Sequence, residues 1–274
     1  MSGVIKDMGE LDITSLQLKI GPRYVKQENG LRPFQKETVE AIKDPDVKLI
    51  TVEAPVGSGK SYIIRNLVTD SHFDGTPIVL TYPTKILMDA QVESIKKEMD
   101  NVAVWPDDAN KFPLTGKSSI NVWKYSLDSL STYMKERPEE FDAFANRGEL
   151  LSKGMFSIEY GEKKIFVTTP DVLWLIYSGK YKGCRMLQSQ LNGALVSFDE
   201  FHAYSELWNF YNLLENLIFK SKVSKVVLLS ATPFVRREGW KKIEKYLEEK
   251  RIKTTKIPFK NSESDEQNTK KDPC

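Results

Sequence analysis

Two short stretches hold residue types whose spacing suits phosphate chemistry. In "APVGSGKS", Ala54 to Ser61, a Gly-Ser-Gly turn runs directly into a lysine–serine pair. A turn of this kind leaves backbone N–H groups free to surround phosphate oxygens at a helix N-terminus. Gly57 and Gly59 permit the turn and a close approach, while Pro55, Val56 and Ser58 complete the loop. Lys60 is expected to reach the β- and γ-phosphates of a bound ATP, and Ser61 to offer its hydroxyl to Mg²⁺. The second stretch is "VSFDEFHAY", where an apolar run ends in Asp199 and Glu200, with His202 following. An acidic pair at a strand end is often only a solvated edge. Beside a phosphate-binding loop it takes on a division of labour: Asp199 holds the magnesium shell, and Glu200 orients or deprotonates the attacking water. His202 reads either as an ordinary polar residue or as a link from the γ-phosphate site to neighbouring strands.

Elements able to position these groups are visible in the pattern. Five apolar runs read as buried parallel strands, at 47–55, 77–83, 164–170, 194–200 and 225–233, rich in Val, Ile and Leu with little alternation. Helical patterns follow most of them; "SELWNFYNLLENLIF" sets Leu207, Phe210, Tyr211, Leu214, Leu217 and Ile218 on one stripe. Strand–helix alternation predicts an α/β, doubly wound, mostly parallel sheet. Between about 100 and 161 the pattern breaks down into polar sequence with helix-like pieces such as "VWKYSLDSLSTYMKE", which reads as a helical insertion. The expected organisation is one lobe over residues 1–260 and a disordered tail over 261–274, where apolar periodicity is lacking.

Bulk composition narrows the classes. With 274 residues, 40% hydrophobic and 28% charged, the chain is an ordinary globular one. No apolar run reaches membrane-spanning length, and the N-terminus lacks a basic start followed by an apolar block. Cys184 and Cys274 are the only cysteines, which excludes a disulfide framework and fits a cytoplasmic protein. The net charge of +2 conceals an imbalance: residues 220–260 carry thirteen Lys and Arg against four Glu. Such a block is either a solvated helix face or a phosphate-facing surface.

The ordered set of stretches resembles the first RecA-like lobe of a superfamily 2 helicase of the DExH type. "RPFQKETVEAI" is similar to the Q motif, "APVGSGKS" to motif I, "LTYPTKILMDAQ" to motif Ia, "VTTPDVLWLI" to motif Ib, "DEFH" to motif II and "SAT" to motif III. The resemblance implies that Gln35 reads the adenine edge and that Ser230 and Thr232, with His202, couple the nucleotide to the nucleic acid. It further implies that Pro83, Thr84, Lys85, Thr169 and Pro170 contact the backbone of single-stranded DNA. Within the superfamily, "SFDEFHAY" and "APVGSGKS" look most like the CRISPR-associated helicase of type I systems, in its helicase-only form closest to subtype I-D. The implied partners are an RNA-guided CRISPR effector complex and a second RecA-like lobe or a complete helicase chain.

That second lobe is the departure from the pattern. Only 41 residues follow Pro233, too few for a lobe bearing further motifs, and Arg236 and Arg237 are poor substitutes for its arginines. Either the chain is a fragment, or it works as half of the machine with weak hydrolysis on its own. A rival reading is a non-catalytic lobe that docks on an effector complex and regulates the complete helicase. A small-molecule kinase would account for "GSGKS" but not for the acidic and "SAT" stretches.

Overall fold

The computed structural model describes residues 30–108, 111, 114, 119–126, 163–179, 184–204, 208–231 and 238–259. Eight strands form one sheet in the order β3-β4-β5-β2-β6-β7-β1-β8, and every neighbouring pair is parallel. They are β1 Val47–Glu53, β2 Pro77–Thr81, β3 Val102–Trp105, β4 Ile120–Tyr125, β5 Lys163–Thr168, β6 Leu195–Phe198, β7 Lys225–Ser230 and β8 Lys253–Pro258. Helices α1 Pro33–Lys43, α2 Lys60–Thr69 and α3 Lys85–Glu98 cover one face. The other face carries α4 Pro170–Tyr177, α5 Cys184–Gln190, α6 Trp208–Glu215 and α7 Glu238–Glu249. The fold is the α/β, doubly wound, parallel-sheet arrangement anticipated from the pattern.

Burial on both faces explains why the central strands read as unbroken apolar runs. In β7, Val226 and Leu228 enter the core under α6 and α7, while Val227 and Leu229 enter the core under α1 to α3. A strand wrapped this way has no solvent face on which to place polar residues. Of the apolar stripe expected after the acidic pair, Phe210, Leu214, Leu217 and Ile218 are buried, with Tyr211 packed at the edge of the core. Leu207 lies outside the described residues.

The sheet is wider than the sequence pattern indicated. β3 and β4 fall within 100–161, so the first part of that segment belongs to the sheet rather than to an insertion, and Val122–Tyr125 is strand rather than helix. Polar residues hid β4, each with a dedicated partner. The buried Asn121 amide accepts from Leu114 N–H at 2.8 Å and donates to its carbonyl at 2.9 Å. Lys124 pairs with Asp107 at 2.6 Å and with Asp89 at 3.4 Å. β8 was hidden because only Ile257 of its six residues is buried, as suits an edge strand with charged positions. Residues 127–162 and the tail 261–274 lie outside the described residues.

Strand order fixes where chemistry can happen. Because β6, β7 and β1 are neighbours and parallel, their carboxyl ends share one edge, with β2 and β5 next along it. In open sheets of this kind ligands bind at that edge.

Candidate active site

The loop after β1 is built by its backbone. Ala54 N–H donates to the Ser230 carbonyl at 2.9 Å, which ties the start of the loop to the end of β7. Gly57 has φ +77° and Gly59 φ +92°, left-handed values at which a side chain would be strained. Gly59 also has no room, since a Cβ there would stand 2.8 Å from Gln35 Nε2. Pro55, Val56, Gly57, Ser58 and Gly59 form one turn, with Val56 at its crest 78% exposed, and α2 begins at Lys60 and Ser61. The first N–H groups of a helix have no intrahelical acceptor, so they face the concavity of the loop. Buried within the loop, Ser58 Oγ has no hydrogen-bond partner among the described residues.

Lys60 is 6% exposed, and its ammonium donates to the carbonyls of Ala54 at 2.9 Å and Pro55 at 3.3 Å. It stands 3.7 Å from Glu200 Oε1. β6 delivers that carboxylate: Asp199 N–H donates to Thr81 O at 3.0 Å, which continues the sheet one residue past Phe198. Glu200 then turns with φ +50°, a left-handed value rare for a residue with a side chain, and its N–H donates to Asp199 Oδ1 at 3.0 Å. Burial, reinforced by the neighbouring charge of Glu200, pushes the Asp199 carboxyl up to about 6, against the opposing pull of Lys60. Glu200 Oε2 lies 3.4 Å from His202 Nδ1, close but not directed as a hydrogen bond. His202 Nδ1 meets Ser230 Oγ at 3.2 Å. His202 therefore does stand between the acidic pair and the end of β7. Thr232, Arg236 and Arg237 lie outside the described residues.

The turns after β2 and β5 are adjacent, joined by Tyr82 N–H to Thr168 O at 3.1 Å. Thr84 caps α3 by accepting from Leu87 N–H at 3.2 Å, with Pro83 before it and Lys85 opening the helix. Thr169 is the N-cap of α4 and Pro170 its first residue. These five residues thus occupy the same sheet edge as Lys60 and Glu200, with Glu200 at the end of the adjacent β6 and Lys60 beyond β7, after β1.

Gln35 makes contacts within the protein that the sequence did not indicate. It is 3% exposed; its Oε1 accepts from Arg32 N–H at 2.7 Å, and its Nε2 donates to Gly59 O at 2.7 Å. The amide nitrogen holds the glycine loop, while the oxygen closes the first turn of α1. Arg32 assists by donating to Ser58 O at 2.6 Å. Sequence reasoning gave Arg32 no role, though it stands within the same "RPFQ" stretch. It also missed Tyr204, buried behind the acidic pair, whose hydroxyl burial and the nearby Asp199 charge hold well above its usual range. Several described lysines of the basic block are engaged within the protein. Lys225 donates inward to Val47 O at 2.7 Å, Lys253 pairs with Asp44 at 2.8 Å, Lys256 with Glu53 at 2.8 Å and Lys242 with Glu215 at 3.4 Å.

Residues 32–123 match the family model described as DEAD/DEAH box helicase. The matched segment runs from the Arg32–Gln35 clasp through the glycine loop to β4. Among solved structures, the chain is similar to one described as the helicase domain of Hef from Pyrococcus furiosus, at 18% identity and a TM-score of 0.47. That likeness covers 85% of this chain and 38% of the other, so the chain spans well under half of its length. No curated protein matches the chain. Among the described residues no helix is long and apolar enough to cross a membrane.

Two outcomes follow from the geometry. If Gln35 acts by clasping the loop, Gln35→Ala weakens ATP and GTP binding alike, by about 3–10-fold each for one lost hydrogen bond; a loss confined to ATP in paired titrations would restore the adenine-reading role. Asp199, protonated more readily folded than unfolded, favours the native state below about pH 6 and withdraws that support as pH rises from 4 to 6. Asp199→Asn therefore gains stability relative to the parent between pH 4.5 and 7, by roughly 1–2 kcal/mol, in urea unfolding at the two pH values. An unchanged difference would contradict the buried-carboxylate account.

Proposed function

We propose that the chain is the ATP-binding lobe of an ATP-dependent single-stranded DNA translocase or helicase. The observation that carries this reading is the convergence of Lys60, Asp199 and Glu200 on the glycine loop, with Lys60 Nζ 3.7 Å from Glu200. The residues fit a nucleotide with a divalent cation. Left-handed glycines and free helix N–H groups form a phosphate cradle, and Ser58 Oγ and Glu200 Oε2 are buried acceptors or donors without a hydrogen bond. Lys60, with Pro55 to Ser61, would hold the phosphates; Ser61 and Asp199 would hold Mg²⁺. These two residues offer only two oxygen ligands, so phosphate and water oxygens would complete the cation's shell. When bound, Mg²⁺ neutralises charge on the transferring phosphoryl group. Glu200, held by its backbone turn and flanked by His202, orients the attacking water and accepts its proton.

His202 and Ser230 carry the state of this site into β7 through their 3.2 Å contact, and Thr232 extends the same path in this reading. Pro83, Thr84, Lys85, Thr169 and Pro170 bind the DNA backbone on the neighbouring turns. The charge needed on the γ-phosphate comes from a facing surface, a second RecA-like lobe or a complete helicase chain, so residues 1–274 alone hydrolyse ATP weakly. The lobe extends through residue 260, and a cytoplasmic setting rests on the sparse cysteines. A role in type I CRISPR interference, with recruitment by an effector complex, rests on the resemblance of "SFDEFHAY" and "APVGSGKS" alone. The rival, a non-catalytic lobe regulating the complete enzyme, shares every binding feature and differs only in turnover.

The division between the two carboxylates provides the test. Glu200→Gln keeps Mg·ATP binding within about threefold yet lowers turnover at least 100-fold, the scale of losing a general base, in DNA-stimulated ATPase with a second lobe supplied. Asp199→Ala loses the magnesium-dependent part of binding as well. Identical behaviour of the two variants in both assays would refute the assignment, and turnover of zero in the parent would favour the regulatory rival.

A further inference from the structure

A second concavity lies at the opposite end of the sheet. It is about 340 Å³ and is lined by Arg185, Lys220 and Lys222 together with the carboxamides Gln188, Asn192 and Asn216. Lys222 precedes β7 and its carbonyl accepts from Gly193 N–H at 2.7 Å, just before β6, so the cavity sits at the amino ends of these strands. The glycine loop and the acidic pair stand at their carboxyl ends. This cavity is therefore separate from the nucleotide site, with the length of β6 and β7 between them.

Its chemistry is one-sided. No lining residue is acidic. Lys220 is held by Glu215 at 2.8 Å, but Arg185 and Lys222 are exposed and have no carboxylate partner among the described residues. Gln188 donates to Ile176 O at 2.7 Å and Asn216 to Asn212 O at 3.0 Å, which fixes both amides and leaves each a second N–H for a ligand. Burial keeps the Tyr177 hydroxyl, also on the wall, protonated and able to donate. Donors and cations without acceptor carboxylates match a group with several anionic oxygens, and the volume lies at the small end of small-molecule sites.

We propose that this cavity is a second phosphate-recognition site, independent of the ATP site, taking a phosphomonoester or short polyphosphate in which Arg185 and Lys222 bind the anionic oxygens and Gln188, Asn192 and Asn216 orient them. Two sources share this chemistry: a free phosphorylated small molecule, and the terminal phosphate of a nucleic-acid strand. A site behind the sheet would let the lobe sense either one without competing for ATP.

The experiment uses the full chain carrying Lys60→Ala, so that the glycine loop contributes little, and titrates it calorimetrically with inorganic tripolyphosphate at low salt. Saturable binding is expected, and adding Arg185→Glu with Lys222→Glu weakens it at least tenfold. The same pair of substitutions in the otherwise unaltered chain leaves ATP affinity unchanged, which separates this proposal from the assignment of the ATP site. Displacement of tripolyphosphate by a 5′-phosphorylated oligonucleotide, but not by its 5′-hydroxyl twin, assigns a strand end; displacement by a nucleoside monophosphate assigns a free small molecule. Absent binding, equal affinity in the charge-reversed chain, or equal displacement by a polyglutamate peptide would each overturn phosphate recognition.

Discussion

Parallel pairing of β6, β7 and β1 in a single register is the constraint on which the site depends. Phe198 of β6 lies level with Leu228 of β7 and Thr51 of β1, and Ser230 lies level with Glu53. β6 therefore ends two positions before its neighbours. The chain leaving it can turn across their ends, and the left-handed Glu200 uses that space to face Lys60. A slip of one residue would reverse every side chain in the strand and carry Phe198 out of its core. Chemistry and folding are thus set by the same hydrogen bonds, including the link from Ala54 N–H to Ser230 O.

The charges gathered there are costly to bury and are kept by mutual compensation. Lys60 is almost wholly enclosed and is supported by two carbonyls and a carboxylate. Asp199 is less well served: burial, and after it the neighbouring carboxylate of Glu200, raise its affinity for a proton. A divalent cation at Asp199 would relieve that repulsion, so the apparent instability of the acidic pair and its fitness for magnesium have one origin. Gln35 and Arg32 perform a related service for the loop, fixing the carbonyls of Gly59 and Ser58.

Much of this was legible in the sequence, for identifiable reasons. β1, β2, β5, β6 and β7 are buried on both faces, and such strands cannot disguise themselves. β4 could, because Asn121 and Lys124 find partners only once the chain is folded, and β8 could because an edge strand needs one buried residue at most. The loop and the acidic pair were legible from short-range spacing, and His202 from its place beside them. That the Gln35 amide meets Gly59 was not legible, because it depends on how α1 packs against α2, a long-range fact. The basic block was ambiguous for a similar reason, since charge along a chain does not reveal that Lys225 turns inward or that Lys253 and Asp44 meet across a long interval of sequence.

The central claim is that the glycine loop and Lys60 form a triphosphate site completed by Asp199 and a magnesium ion. Calorimetric titration of the chain with a non-hydrolysable ATP analogue, with and without Mg²⁺, tests this most directly when repeated on Lys60→Ala. The account predicts one binding site per chain, tighter with the metal, and weakened at least tenfold by losing a charge-assisted phosphate contact. Equal affinity in parent and variant, or indifference to magnesium, would contradict it.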